Sequence, residues 1–153
     1  MKILFIGDIM GSPGRKAISG LLHKVVDKYS VDLVVANGEN ASGGIGITPE
    51  VAEQLFQMGI DVLTSGNHIW KHKEIQSYLE GNDRLVRPAN YPAGTPGRGL
   101  TIIETAAGES AAVLNLEGRI FMNPLDCPFR TADRELATLP PEVKIILVDM
   151  HAE

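Results

Sequence analysis

The sequence predicts an α/β fold with a mostly parallel β-sheet core flanked by helices. The alternation of two kinds of segment leads to this prediction. Short apolar runs alternate along the first half of the chain with longer segments whose apolar residues recur at helical spacing. This alternation is typical of strand–helix–strand units, in which parallel strands lie buried under helices on both faces of one sheet. The 153 residues are expected to form a single domain, 1–153.

Local signals place the elements of the first half. Ser12 with Pro13, and Thr48 with Pro49, each combine a capping side chain with a proline, which predicts that a helix begins there. A third helix is predicted over residues 71–79. The apolar runs that alternate with these helices are predicted to be buried strands, at residues 2–7, 32–36 and 61–64.

The second half differs in character. Residues 87–99 are rich in glycine and proline, which predicts a long loop. The remaining elements are a hairpin of residues 100–104 and 111–116, a short helix at 131–139 and a last buried strand at 144–149.

Composition narrows the function classes. Nineteen acidic residues against 14 basic ones give a net charge of −5, which argues against a stable nucleic-acid partner, since backbone binding needs a basic surface. A small phosphate substrate stays compatible, because bound metal ions reverse the local charge. Cys127 is the only cysteine, so no internal disulfide can form. No apolar run is long enough to cross a bilayer, so a cytoplasmic location without a membrane partner is expected.

Polar residues follow the predicted strands, and in open α/β sheets ligands bind beyond the carboxyl ends of the strands. Carboxylate, amide and imidazole groups without a thiolate suit Mn, Fe, Zn or Mg. The pattern therefore predicts a metal site at this sheet edge, built from Asp8, Glu39, Asn40, Asn67, His68 and His151.

Each of these residues also has a simpler interpretation when it is taken alone. Their shared position at one edge of the predicted sheet is what favours a joint role. The simpler interpretations are a helix cap for Asp8, a solvated loop for Glu39 and Asn40, a turn for Asn67 and His68, and a core position for His151.

The same residues resemble the metal-ligand series of the calcineurin-like metallophosphoesterases, and most closely their bacterial YmdB-like branch. Met10 and Glu39 stand where the wider superfamily has a histidine and an aspartate, as that branch is expected to show. The closing Gly-x-His-x-His motif does not occur in the chain, so the fold is expected to be incomplete at its C-terminus. The resemblance spans the chain through Gly7 to Arg15, Asn37 to Gly44, Gly66 to Trp70, Arg87 to Pro92 and Asp149 to Glu153.

The resemblance implies a metal-dependent phosphoric diester hydrolase that acts on cyclic nucleotides, 2′,3′-cyclic nucleotides first, through two divalent or trivalent ions and a bridging hydroxide. Iron is the expected metal, with Mn, Mg and Zn as alternatives. By resemblance, the first ion is held by Asp8 and Asn40, the second by Asn67 and His151 and both by Glu39, while His68 protonates the leaving oxygen.

Three rival hypotheses of function are also compatible with the sequence. The first is a non-catalytic module that binds nucleotide phosphate. The second is a phosphotransferase with a nucleophilic Asp8, which would need a second aspartate where Met10 stands. The third is a scaffold role for a sheet edge left exposed by the missing strands, which would also favour a homo-oligomer.

Overall fold

The computed structural model describes residues 1–152, and Glu153, which closes the last segment of the resemblance, lies outside the described residues. Within that range the strands are β1 (Ile3–Ile6), β2 (Leu33–Asn37), β3 (Val62–Thr64), β4 (Leu100–Glu104), β5 (Ser110–Glu117) and β6 (Ile145–His151). The α-helices are α1 (Gly11–Tyr29), α2 (Pro49–Gln57), α3 (Ile75–Gly81) and α4 (Pro128–Leu136), and a 3₁₀ helix covers Asn67–Lys71. No helix in residues 1–152 is both long and apolar enough to span a membrane.

The strands of residues 1–152 divide between two three-stranded sheets. In the first sheet β2 lies between β1 and β3 and is parallel to both; in the second β5 lies between β4 and β6, antiparallel to β4 and parallel to β6. The α/β class with mostly parallel strands is therefore confirmed. The expected arrangement differs in one respect, because the strands do not form one sheet with helices on both faces.

The two sheets pack face to face. Val35 and Val62 of the first sheet share a buried apolar cluster with Val113 of the second, and Leu147 packs against it. The second sheet thus covers the face of the first sheet that a layer of helices was expected to cover. Pairing between distant segments decides this arrangement. The local apolar pattern of a buried strand is the same whether helices or a second sheet cover it.

Helices cover the other face of the first sheet. Leu22 of α1 and Leu55 of α2 lie in one buried cluster with Val34 and Leu63 of the strands. Burial of side chains of this size contributes roughly 1.5–3 kcal/mol each. This layer fixes the strands whose carboxyl ends carry the candidate site.

The predicted helix starts are confirmed in part. At α2 the Thr48 side chain accepts a hydrogen bond from the Val51 amide, and Pro49 is the first helical residue. At α1 the N-cap is Met10, which makes no side-chain cap, so Ser12 does not have the predicted capping role.

Two further helices differ from their predicted bounds. In the segment predicted as one helix over residues 71–79, Lys71 ends the 3₁₀ helix, residues 72–74 turn, and α3 begins only at Ile75. Helix α4 begins at Pro128, three residues before its predicted start, with the proline in its first turn.

Candidate active site

Two loops at the carboxyl ends of β1 and β2 lie against each other. The Ile9 amide donates to the Asn37 carbonyl at 3.0 Å, and the Gly11 amide donates to the Asn40 carbonyl at 2.9 Å. Gly11 has φ +51°, and a Cβ there would lie 3.3 Å from the amide nitrogen of Gly44. Glycine allows this conformation and this close approach, which bring the two loops together.

The loop contact brings Asp8 beside the residues that follow β2. Asn40 Nδ2 donates to Asp8 Oδ2 at 2.8 Å and lies 3.4 Å from Glu39 Oε1. Asn40 Oδ1 lies 2.7 Å from Nδ1 of His68, which is in the 3₁₀ helix after β3. In this arrangement the Asn40 amide nitrogen faces two carboxylates, and its oxygen faces the imidazole of His68.

His151 approaches from the second sheet. Its Nδ1 lies 3.4 Å from Glu39 Oε1, and its Nε2 lies 3.1 Å from Asn67 Oδ1. His151 is the last residue of β6, so the strand itself directs this imidazole toward the first sheet. The structure thus brings all six predicted residues into one cluster, while their individual roles stay predictions.

Gly66 makes the approach of the two sheets possible. A Cβ at this position would lie 2.6 Å from His151 Cγ, and it would also overlap Glu39 Oε2. Only a residue without a side chain leaves room for the carboxylate and the imidazole to meet here. The sequence named Gly66 only as the start of the segment of the resemblance at residues 66–70, and this role was not identified.

All cluster residues except Asn67 line an open cavity of about 310 Å³, which Asn37 and Asp149 also line. Asn37 Nδ2 donates to Asp149 Oδ2 at 3.1 Å. Sequence reasoning did not single out Asp149 as a site residue. Its position two residues before His151 was a usable signal, because alternate residues of a strand face the same side.

Burial sets the electrostatics of the cluster. Desolvation raises the pKa of Glu39 above its usual value, and the nearby imidazoles of His151 and His68 oppose that shift. Glu39 Oε2 is buried and has no hydrogen-bond partner among the described residues. A buried carboxylate oxygen without a partner is costly, and a cation beside it would remove that cost.

The donor set fits a metal ion when its amide oxygens are included. Within residues 1–152, no three His, Cys, Asp or Glu side chains are placed to hold a metal ion by themselves. The further donors are the side-chain oxygens of Asn40 and Asn67. Carboxylates, amides and imidazoles together suit a hard or borderline divalent cation.

The fold is that of the calcineurin-like metallophosphoesterase class. A model of the YmdB-like protein family matches residues 4–153, and the chain belongs to that family.

Three proteins are similar to the chain over its full length. It is 46% identical over 153 residues to a Bacillus subtilis protein named 2′,3′-cyclic-nucleotide 2′-phosphodiesterase, covering all of this chain and 58% of that protein. A crystal structure from Thermus thermophilus superposes with a TM-score of 0.91 at 45% identity, covering 100% of this chain and 58% of that one. The structure of a Mycoplasma pneumoniae phosphatase superposes with a TM-score of 0.90 at 30% identity, covering 100% of this chain and 56% of that one. The chain thus spans little more than half the length of these relatives.

Proposed function

We propose that the cluster is the site of a metal-dependent phosphodiesterase that hydrolyses cyclic nucleotides, with 2′,3′-cyclic nucleotides as the first candidates. The observation that carries this proposal is the buried Glu39 carboxylate, whose Oε2 has no hydrogen-bond partner among the described residues. It lies at the meeting point of carboxylate, amide and imidazole groups from both sheets. The name of the Bacillus subtilis relative supports the choice of substrate.

The chain's own residues divide between two ion positions in this proposal. Asp8 and Asn40 would hold one ion and Asn67 and His151 the other. Glu39, which contacts Asn40 and His151, would contribute to both. Iron is the proposed metal, with Mn, Mg and Zn as alternatives. When bound, such a pair of ions supplies Lewis acidity that neutralises phosphate charge and activates water.

His68 is the proposed proton donor to the leaving ester oxygen. Its Nδ1 is held by Asn40 Oδ1, so Nε2 is the nitrogen free to face a substrate. The side chain is 31% exposed, which leaves it open to the cavity. An imidazole suits this role because its pKa is ordinarily about 6.5, near neutral pH.

An apolar hollow beside the cavity favours a nucleotide over a simple diester. The hollow has a volume of about 270 Å³, is lined by Ile120, Phe129 and Met150, and shares Met150 with the polar cavity. A nucleobase offers a flat apolar surface of suitable size for such a hollow. Phe129, whose side chain is 75% exposed, is available to stack on it.

The test combines elemental analysis of the purified protein with hydrolysis of a 2′,3′-cyclic nucleotide and of a chromogenic diester that lacks a nucleobase. We expect two metal ions per chain and a lower KM for the nucleotide. Glu39→Gln should lose most of its metal, because the charge between the two positions is gone. Glu74→Gln, the same change at an exposed residue, is the control and should keep it.

The outcomes separate the proposal from its rivals. Wild-type protein that binds no metal and hydrolyses neither substrate would refute the proposed enzymatic function. Metal and nucleotide binding without turnover would favour the non-catalytic phosphate-binding module. Full metal content in Glu39→Gln would remove Glu39 from its position between the ions.

A further inference from the structure

A second buried carboxylate lies next to the cluster. Glu117, the last residue of β5, is 0% exposed, and neither of its carboxylate oxygens has a hydrogen-bond partner within residues 1–152. Its backbone is fixed on both sides by Asn90, whose Nδ2 donates to the Glu117 carbonyl at 2.8 Å and whose Oδ1 accepts from the Glu117 amide at 2.9 Å. Burial without a partner is a cost to folding that an apolar residue would not impose.

The residue after Asn90 links Glu117 to the other side of the site. The Tyr91 ring packs edge-on against Trp70, with ring centroids 5.4 Å apart and an interplanar angle of 72°. Burial raises the pKa of the Tyr91 hydroxyl to about 12, and the nearby negative charge of Glu117 adds to the shift. Trp70, Tyr91 and Glu117 therefore lie in a row, in which Glu117 is buried and the two aromatic side chains are half-buried.

The two ends of this row lie on the two walls of the cluster. Glu117 is the register partner of His151 in the β5–β6 pair. Trp70 belongs to the 3₁₀ helix that also carries Asn67 and His68. His151 Nε2 lies 3.1 Å from Asn67 Oδ1. The 3₁₀ helix and β6 are therefore linked twice, once by this contact and once through the row.

We propose that Glu117 and Tyr91 are positioning residues, which hold the 3₁₀ helix at the separation from β6 at which Asn67 meets His151. They bind neither metal nor substrate and act through those two residues. The inference rests on the proposed function, in which Asn67 and His151 hold a metal ion. It explains why a costly partnerless carboxylate occupies a position where a methionine of similar size would fit.

Glu117→Met separates this role from an ordinary role in the core. The variant removes the buried polar group and keeps a side chain of similar volume, so the metal-free protein should unfold at a higher temperature. Metal affinity should fall by roughly 10- to 100-fold, the usual loss when a residue that orients ligands is removed. Glu117→Gln keeps a polar side chain of the same size beside Tyr91 and should retain part of that affinity. Glu104→Met, the same change at an exposed strand residue, should leave the affinity unchanged.

A second measurement needs no metal. In the metal-free protein, Glu117→Met and Tyr91→Phe should both shift the imidazole NMR signals of His151 and His68. The signals of His23, which lies exposed on α1, should stay in place and serve as the internal reference.

Two results would overturn the inference: unchanged His151 and His68 signals in both variants, or a joint fall of melting temperature and affinity, which marks an ordinary core residue. Wild-type protein that binds no metal would instead refute the proposed function, and the NMR comparison would still decide the positioning role.

Discussion

The two sheets differ in what they give to the site and in how they are covered. The first sheet has helices on one face and the second sheet on the other, whereas Ile146 and Val148 on the outer face of the second sheet are each 44% exposed. The first sheet contributes its residues from loops after three strands, and the second contributes His151 from within a strand. The covered sheet thus holds most of the cluster, and one strand of the more open sheet completes it.

The difference shows where the site is most sensitive. Loops after buried parallel strands can move a little without loss of the fold, but the point where the sheets meet leaves no such freedom. There Glu39 of the first sheet and His151 of the second are 3.4 Å apart, with Gly66 beneath them. We therefore expect the largest effects from changes at this junction.

Gly66→Ala should have the largest effect, since it breaks the junction itself. The new methyl group would overlap the Glu39 carboxylate and lie 2.6 Å from His151 Cγ. We expect loss of bound metal and a lower melting temperature, measured by elemental analysis and calorimetry. The matched control is Gly20→Ala in the exposed face of α1, where a Cβ would meet nothing within 4 Å.

The control should be stabilising by about 0.5–1 kcal/mol, because alanine favours a helix over glycine. Normal metal content in Gly66→Ala would show that the sheets can separate at the junction without loss of the site. The comparison of covered and open sheets would then no longer explain the sensitivity of the cluster.

The next largest effects are expected at the two imidazoles of the site, His68 after the first sheet and His151 in the second, and the two variants should differ in kind. His68→Ala should keep its metal but lose about 10²- to 10⁴-fold in turnover, the usual contribution of a general acid. His151→Ala should lose metal first, because its nitrogens contact Glu39 and Asn67. Metal content and kcat are measured on the same samples. Turnover that does not change in His68→Ala would remove this residue from the chemistry.

The sequence predicted the loop residues better than it predicted the sheets. An apolar run followed by a polar residue marks the end of a strand, and this local signal located Asp8, Glu39 and Asn67. The division into two sheets depends on which distant strands pair, and the apolar pattern is the same for either outcome. The helix caps show the same limit, because Thr48 caps α2 as predicted, whereas Ser12 does not cap α1.

The residues that sequence reasoning missed depend on long-range register. Glu117 ends a strand and resembles any exposed acidic residue until its pairing with His151 is known. Its burial then requires the Asn90–Tyr91 segment, which is 27 residues away along the chain at the Asn90 contact. No local pattern reports such a contact, so a buried carboxylate of this kind can only be recognised in three dimensions.

The smallest expected effect, that of Val148→Ala, tests the covering of the sheets through its comparison with Leu63→Ala. Leu63 of β3 is fully buried, and Leu63→Ala should lower the free energy of unfolding by about 2–5 kcal/mol, since it leaves a cavity. Val148→Ala on the outer face of β6 should cost no more than about 1 kcal/mol, because that side chain is partly in water. Urea denaturation of both metal-free variants measures the two values. Equal costs would mean that the outer face of the second sheet is covered in solution, and a dependence of the Val148→Ala value on protein concentration would identify a second copy of the chain as the cover.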